Sequence, residues 1–126
     1  MMTTILAIAF GGAIGSVARY GMNLYSEHLV GLEFPYGIFL TNVIGSLAIG
    51  ICFVLIVERP VINDIWRSIL MIGFLGGFTT FSTFSLQSIE LIQAGRTVEA
   101  FVYILGSLVL SILGCWLGIV AARALN

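Results

Sequence analysis

The sequence contains no lysine and a single histidine, and its charge is limited to five arginines and six carboxylates, 9% of the chain. Water-soluble domains carry about a quarter charged residues, so a soluble globular class is excluded. Without lysine there is no phosphate-cradling glycine loop of the kind that ends in that residue, and hence no sign of a nucleotide energy source. Cysteine is scarce too. Cys52 and Cys115 lie deep in apolar runs with no histidine nearby, a pattern that suits packing and makes no metal site. His28 falls between apolar runs, where a solvated imidazole is the default. So few basic residues also leave no surface for nucleic acid, which is not expected as a partner.

What the chain has instead is apolar length. Of its 126 residues 60% are apolar, and the mean hydropathy is +1.13. Residues 1–18, 34–57, 68–89 and 100–122 carry no charge and no histidine. About 20 helical residues cross the roughly 30 Å hydrocarbon core, so the expected class is an all-α membrane protein of four transmembrane helices in one domain, 1–126. The spans are expected near 3–26, 35–58, 64–94 and 97–123, with both termini on one side. Ser26 to Glu33 reads as the first loop, Pro35 as the start of the second helix and Arg59-Pro60 as its end. Asn63-Asp64 suits a cap, and Gly95-Arg96 a tight turn. The first span lacks a basic leader and exceeds the apolar length of a signal peptide, so it is expected to remain.

Arg59, Arg67 and Arg123 fall on the side of the termini and Arg96 and Arg19 on the other. Three against two is a weak positive-inside bias. Such a chain either takes one orientation or inserts both ways, and two opposed copies could then pair. Gly11 and Gly15, Ser46 and Gly50, Gly73 and Gly77, and Gly114 and Gly118 are each four apart, the spacing that lets helix backbones approach closely in a bundle or oligomer.

The segment from Gly76 to Ser85 fits a lipid-facing helix poorly. Two glycines, five hydroxyls and three phenylalanines predict a helix break near 76–79 within the third span. Backbone freed at that depth must be buried or line a cavity, where ions tend to bind. Carbonyls near Gly76 and Thr79 could coordinate a hard cation such as sodium. Phe78, Phe81 and Phe84 recur at three-residue spacing, either as core packing or as rings whose electropositive edges face an anion. Asn42 in span two either bridges helices or donates to an anion; Tyr103, Ser107 and Ser111 put hydroxyls on one helix face, as interhelical bonds or as an anion track. Arg19 lies about 12 Å inside the expected end of span one, where it either snorkels or meets an aqueous vestibule.

Taken together, Gly-Gly-Ala-Ile-Gly-Ser-Val-Ala-Arg-Tyr at 11–20, Pro-Tyr-Gly-Ile-Phe-Leu-Thr-Asn-Val-Ile-Gly at 35–45 and Gly-Phe-Leu-Gly-Gly-Phe-Thr-Thr-Phe-Ser-Thr-Phe-Ser at 73–85 resemble the Fluc/CrcB family of fluoride channels over essentially the whole chain. The resemblance implies an antiparallel, dual-topology homodimer in the cell inner membrane, passively exporting fluoride from the cytoplasm and so reducing its toxicity. Phe81 and Phe84 would present ring edges to fluoride, with Asn42 as the pore amide and Tyr103, Ser107 and Ser111 as a polar track. Thr80, Ser82 and Thr83 would be pore-adjacent hydroxyls, and Arg19 a vestibule residue. Gly76 and Thr79 would offer main-chain carbonyls from both subunits to a structural sodium at the dimer centre. One departure stands out: family members often carry a glutamate two residues beyond the final serine of the motif, where this chain has Gln87, and its nearest carboxylate is Glu90.

Such a pore selects by dehydration, replacing fluoride's water with hydroxyl, amide and ring-edge contacts while larger chloride fails on size. No enzymatic activity is expected. The alternative is a small proton-coupled multidrug or cation exporter, which needs a membrane-buried carboxylate; the six here lie only at the borders of the uncharged runs.

Overall fold

The computed structural model describes residues 1–125, and the regular secondary structure over them is all helical. Helix α1 spans Met2–Val30. Helix α2 runs over Tyr36–Glu58, α-helical to Cys52 and then widening to π-helical geometry over Phe53–Glu58. Helix α3 is π-helical over Arg67–Leu75 and closes with one α-turn, Gly76–Phe78. Helix α4 covers Phe81–Gln93 and α5 covers Thr97–Leu125. Four stretches are long and apolar enough to cross a membrane: α1, α2, α3 together with α4 (Arg67–Gln93), and α5. The protein is therefore a multi-pass membrane protein.

Helix ends follow local chemistry. Ser26 to Val30, expected as loop, are helical: Asn23 Nδ2 donates to Glu27 Oε1 at 3.0 Å one turn on, and α1 stops only at Gly31, whose φ of 85° suits glycine. Pro35 caps α2 from just outside it, having no N–H to offer the first turn. Arg59 leaves helical geometry ahead of Pro60, and Asn63 Oδ1 accepts the Ile65 N–H at 3.0 Å to start the next helical turn. Gly95, with φ 78°, makes the turn into α5.

The small residues sit where helices touch. A Cβ on Gly11 or Gly15 would strike the backbone of Ile69 or Phe74 on α3, and one on Gly77 would lie 2.7 Å from the Gly12 carbonyl, so α1 and α3 pack backbone to backbone. On the other side, Gly50 faces the Cys115 carbonyl and Gly118 faces that of Leu47, joining α2 to α5. At the end bearing the short loops, Ile38, Phe84, Leu91, Ala100 and Tyr103 form a buried cluster that draws α2, α4 and α5 together. Each end is also latched. Arg123 pairs with both oxygens of Glu58, at 2.8 and 2.6 Å, while Arg96 donates to the Glu33 carbonyl and pairs with Glu99.

Candidate functional site

Between α3 and α4 the chain leaves helical geometry inside the apolar stretch Arg67–Gln93. Thr79 (φ −87°, ψ 157°) and Thr80 (φ −153°, ψ 122°) are extended, and their polar groups must be satisfied from elsewhere. Asn42 supplies most of this. Its Nδ2 donates to the Thr80 carbonyl at 3.1 Å and its Oδ1 accepts the Thr80 N–H at 2.8 Å, so one amide on α2 pins both backbone groups of one residue. The Thr80 side chain then caps α4, its Oγ1 accepting the Thr83 N–H at 3.2 Å and donating to Thr83 Oγ1 at 3.2 Å, with Ser82 Oγ 3.3 Å away. Thr79 turns back, its Oγ1 donating to the Leu75 carbonyl at 2.9 Å, which also accepts the Thr79 N–H. Among the described residues no donor reaches the carbonyl oxygens of Gly76 or Thr79.

A cavity of about 340 Å³ opens beside this pin. Its wall brings together Asn42, Gly76, Thr79, Thr80, Phe81, Phe84, Ser107 and Ser111, with Ile49, Met71, Leu75, Leu108 and Ile112 as the apolar remainder. No charged group lines it. Ser107 is 4% exposed, and its Oγ has no hydrogen-bond partner among the described residues. An orphan hydroxyl in so dry a place costs about 1–3 kcal/mol, and a ligand that accepts a hydrogen bond would recover it.

Aromatic rings lead away from the cavity. Phe81 and Phe84 are 5.5 Å apart between centroids at 48°, Phe84 and Tyr103 5.2 Å at 49°, and Tyr103 and Phe34 5.6 Å at 88°. Tilted and edge-on rings present the positive rim of one to the face of the next. Phe84 is buried, whereas Phe81 is 73% exposed on the outside of the bundle. Tyr103 is fully buried, lies outside the cavity wall and donates to Gln87 Oε1 at 2.8 Å. The hydroxyl stripe on α5 therefore divides: Ser107 and Ser111 face the cavity, and Tyr103 faces Gln87.

Besides Tyr103, three of the sequence-predicted residues stand apart from the cavity wall. Ser82 and Thr83 belong to the Thr80 cap, and Arg19, half-buried on α1, makes no hydrogen bond or ion pair among the described residues. Gln87 was visible in the sequence as a departure but not as the partner of Tyr103, because the two lie 16 residues apart on different helices and only the fold brings them together. Nor did the sequence pair Asn42 with Thr80, although it held a hint. A buried amide seeking partners and a break shedding them are complementary.

Residues 6–119 match the family described as CrcB-like protein, Camphor Resistance (CrcB). The chain belongs to the CrcB family. A relative from Coxiella burnetii is 46% identical over 122 residues, covering 96% of this chain and 98% of its own length, and one from Geobacter sulfurreducens is 45% identical over 124 residues, covering 98% and 100%. A third, from Saccharophagus degradans, is 42% identical over 120 residues, covering 95% and 90%. All three are named "Fluoride-specific ion channel FluC". The family match reaches into all four membrane-length stretches.

Proposed function

We propose that this protein is a fluoride-selective passive channel that exports fluoride from the cytoplasm across the cell inner membrane. The observation that carries the reading is the uncharged cavity at the Thr79-Thr80 break, where hydroxyls, an amide-pinned backbone and phenylalanine rings meet and the Ser107 hydroxyl lacks a partner. A small, strongly hydrated anion needs donors in place of water, and a fixed positive charge would hold it too tightly to let it leave. Family membership and the names of close relatives support the same ion. Phe81, Phe84, Ser107 and Ser111 would contact fluoride, Tyr103 would continue the track, and Asn42 would act chiefly by holding Thr80 in place. Ser82 and Thr83 would shape the Thr80 cap beside the pathway. Arg19 would draw anions toward a vestibule.

The working unit in this reading is an antiparallel, dual-topology homodimer. Phe81 and the neighbouring exposed Ser82 and Ser85 give one face of α4 an aromatic and polar character at membrane depth, which a second copy would cover better than lipid. The free carbonyls of Gly76 and Thr79 suit a structural sodium: two hard oxygens per chain become four when two copies meet. The chain offers no competing cage, since no group of three or more His, Cys, Asp or Glu side chains among the described residues could hold a metal.

Purified protein reconstituted into fluoride-loaded liposomes tests the function. With a potassium ionophore present, rapid electrogenic fluoride efflux is expected and chloride efflux is not. Efflux that requires a proton gradient, or none at all, overturns the channel reading.

A further inference from the structure

A second cavity, of about 350 Å³, opens at the short-loop end, between the end of α1, the 31–35 connection and the last turns of α4. Its charge is lopsided. Glu27, Glu33 and Glu90 line it, and the single cation in its wall, Arg96, already pairs with Glu99 and donates to the Glu33 carbonyl. No three of these carboxylates sit close enough to cage a metal ion. Ser26, on the same wall, is 7% exposed, and its hydroxyl makes no hydrogen bond among the described residues. Acidic groups too dispersed for a metal, beside an unpaired hydroxyl, suit a larger cation that carries its own N–H donors, such as a primary ammonium.

Phe34 and Tyr36 form the shared wall between this cavity and an apolar groove of about 410 Å³ on the outer surface of α2 and α5. The groove follows Val98, Val102, Gly106 and Leu110, one residue per turn of α5, with Phe39 opposite Gly106. Twelve residues of helix measure about 18 Å, slightly more than one leaflet of a roughly 30 Å core. Glu99 sits at its upper end, and its partner Arg96 marks where chain depth gives way to the interface. An acidic head cavity therefore adjoins a leaflet-deep apolar channel.

We propose that this pair of cavities is a binding site for a phospholipid with an amine headgroup: the ammonium lies among Glu27, Glu33 and Glu90, the Ser26 hydroxyl accepts from it, and one acyl chain fills the groove along α5. Arg96 lines the head cavity and its partner Glu99 the groove, so this guanidinium is the cation at hand for the phosphate of such a lipid. The site shares no wall residue with the fluoride cavity, and Gln87, the partner of Tyr103, links it to the polar track.

Native mass spectrometry of the full-length protein, delipidated and then titrated with phosphatidylethanolamine, phosphatidylcholine or phosphatidylglycerol of matched acyl chains, tests the assignment. Retention of phosphatidylethanolamine at least about tenfold above the other two is expected, the scale of one charge-assisted hydrogen bond. Glu90→Gln should reduce that preference and Gly106→Phe, which fills the groove, should abolish retention of all three lipids while the oligomer stays assembled. Equal retention of the three headgroups overturns the proposal. Binding of free ethanolamine as strong as that of the lipid overturns it in favour of a soluble amine. Lipid released whenever two copies associate overturns it in favour of a second chain in the groove.

Discussion

Ser107 places an uncompensated hydroxyl in the driest part of the bundle, and that cost separates a structural residue from a functional one. If the hydroxyl served folding alone, its removal would be damaging; as it stands, Ser107→Ala should raise stability by about 1 kcal/mol, because an unsatisfied buried group disappears. Fluoride flux should fall by about tenfold in the same variant, the equivalent of one lost hydrogen bond to the passing ion. Thermal unfolding and liposome efflux measured on one preparation read both effects. Asn42→Leu should do the reverse to stability, lowering it by about 2–4 kcal/mol, since both backbone groups of Thr80 lose their partner together. Asn42→Asp, which keeps the acceptor for the Thr80 N–H and loses the donor, should fall between. Most of these residues were legible from the sequence as polar groups out of place in lipid. Their partners were not: that Asn42 reaches Thr80, 38 residues on, or that Tyr103 reaches Gln87, depends on which helices adjoin, and local pattern carries nothing about that.

At the scale of elements, the uncharged runs marked four crossings because bilayer thickness leaves little freedom in length. The extra turn and a half of α1 escaped notice because polar residues signal both loops and helix ends at an interface; Gly31 was the better stop signal than Ser26. Nor did the sequence hint at the π-helical turns of Phe53–Glu58 and Arg67–Leu75, which carry no composition of their own. Glycine spacing was readable as close approach but not as a pairing scheme. The structure assigns Gly11, Gly15, Gly73 and Gly77 to the α1/α3 contact and Gly50 and Gly118 to the α2/α5 contact. Gly15→Val should accordingly destabilise the monomer fold by about 2 kcal/mol or more, since the obstacle is Phe74 backbone and cannot rotate aside. Gly21→Val, with no heavy atom near its added carbon, should be nearly neutral. Folded yield in detergent after chromatography distinguishes the two.

At the scale of the whole molecule, the charges are divided by end. Glu27, Glu33, Glu90 and Glu99 against Arg96 and Arg19 make the short-loop end acidic, while Arg59, Arg67 and Arg123 outnumber Glu58 and Asp64 at the other. Two opposed copies would set an acidic end beside a basic one on each membrane surface. Adding two lysines to the 31–35 connection should bias the chain to one orientation and cut flux sharply, with flux restored on co-expression of a variant biased the other way. The sodium proposed for the dimer centre belongs to this scale as well. Exchanging it for a large organic cation should lower dimer stability by about 2.7 kcal/mol if it was present at a hundredfold excess over its dissociation constant. The pin across the break has a further consequence in the order of synthesis. Asn42 leaves the ribosome 38 residues before Thr80, so the amide that accepts the exposed backbone is already in the bilayer when the interrupted span arrives. Moving α2 to follow α5 by circular permutation should leave the finished contacts possible but deprive that span of its partner during insertion, and the yield of inserted protein should drop even though every residue is still present.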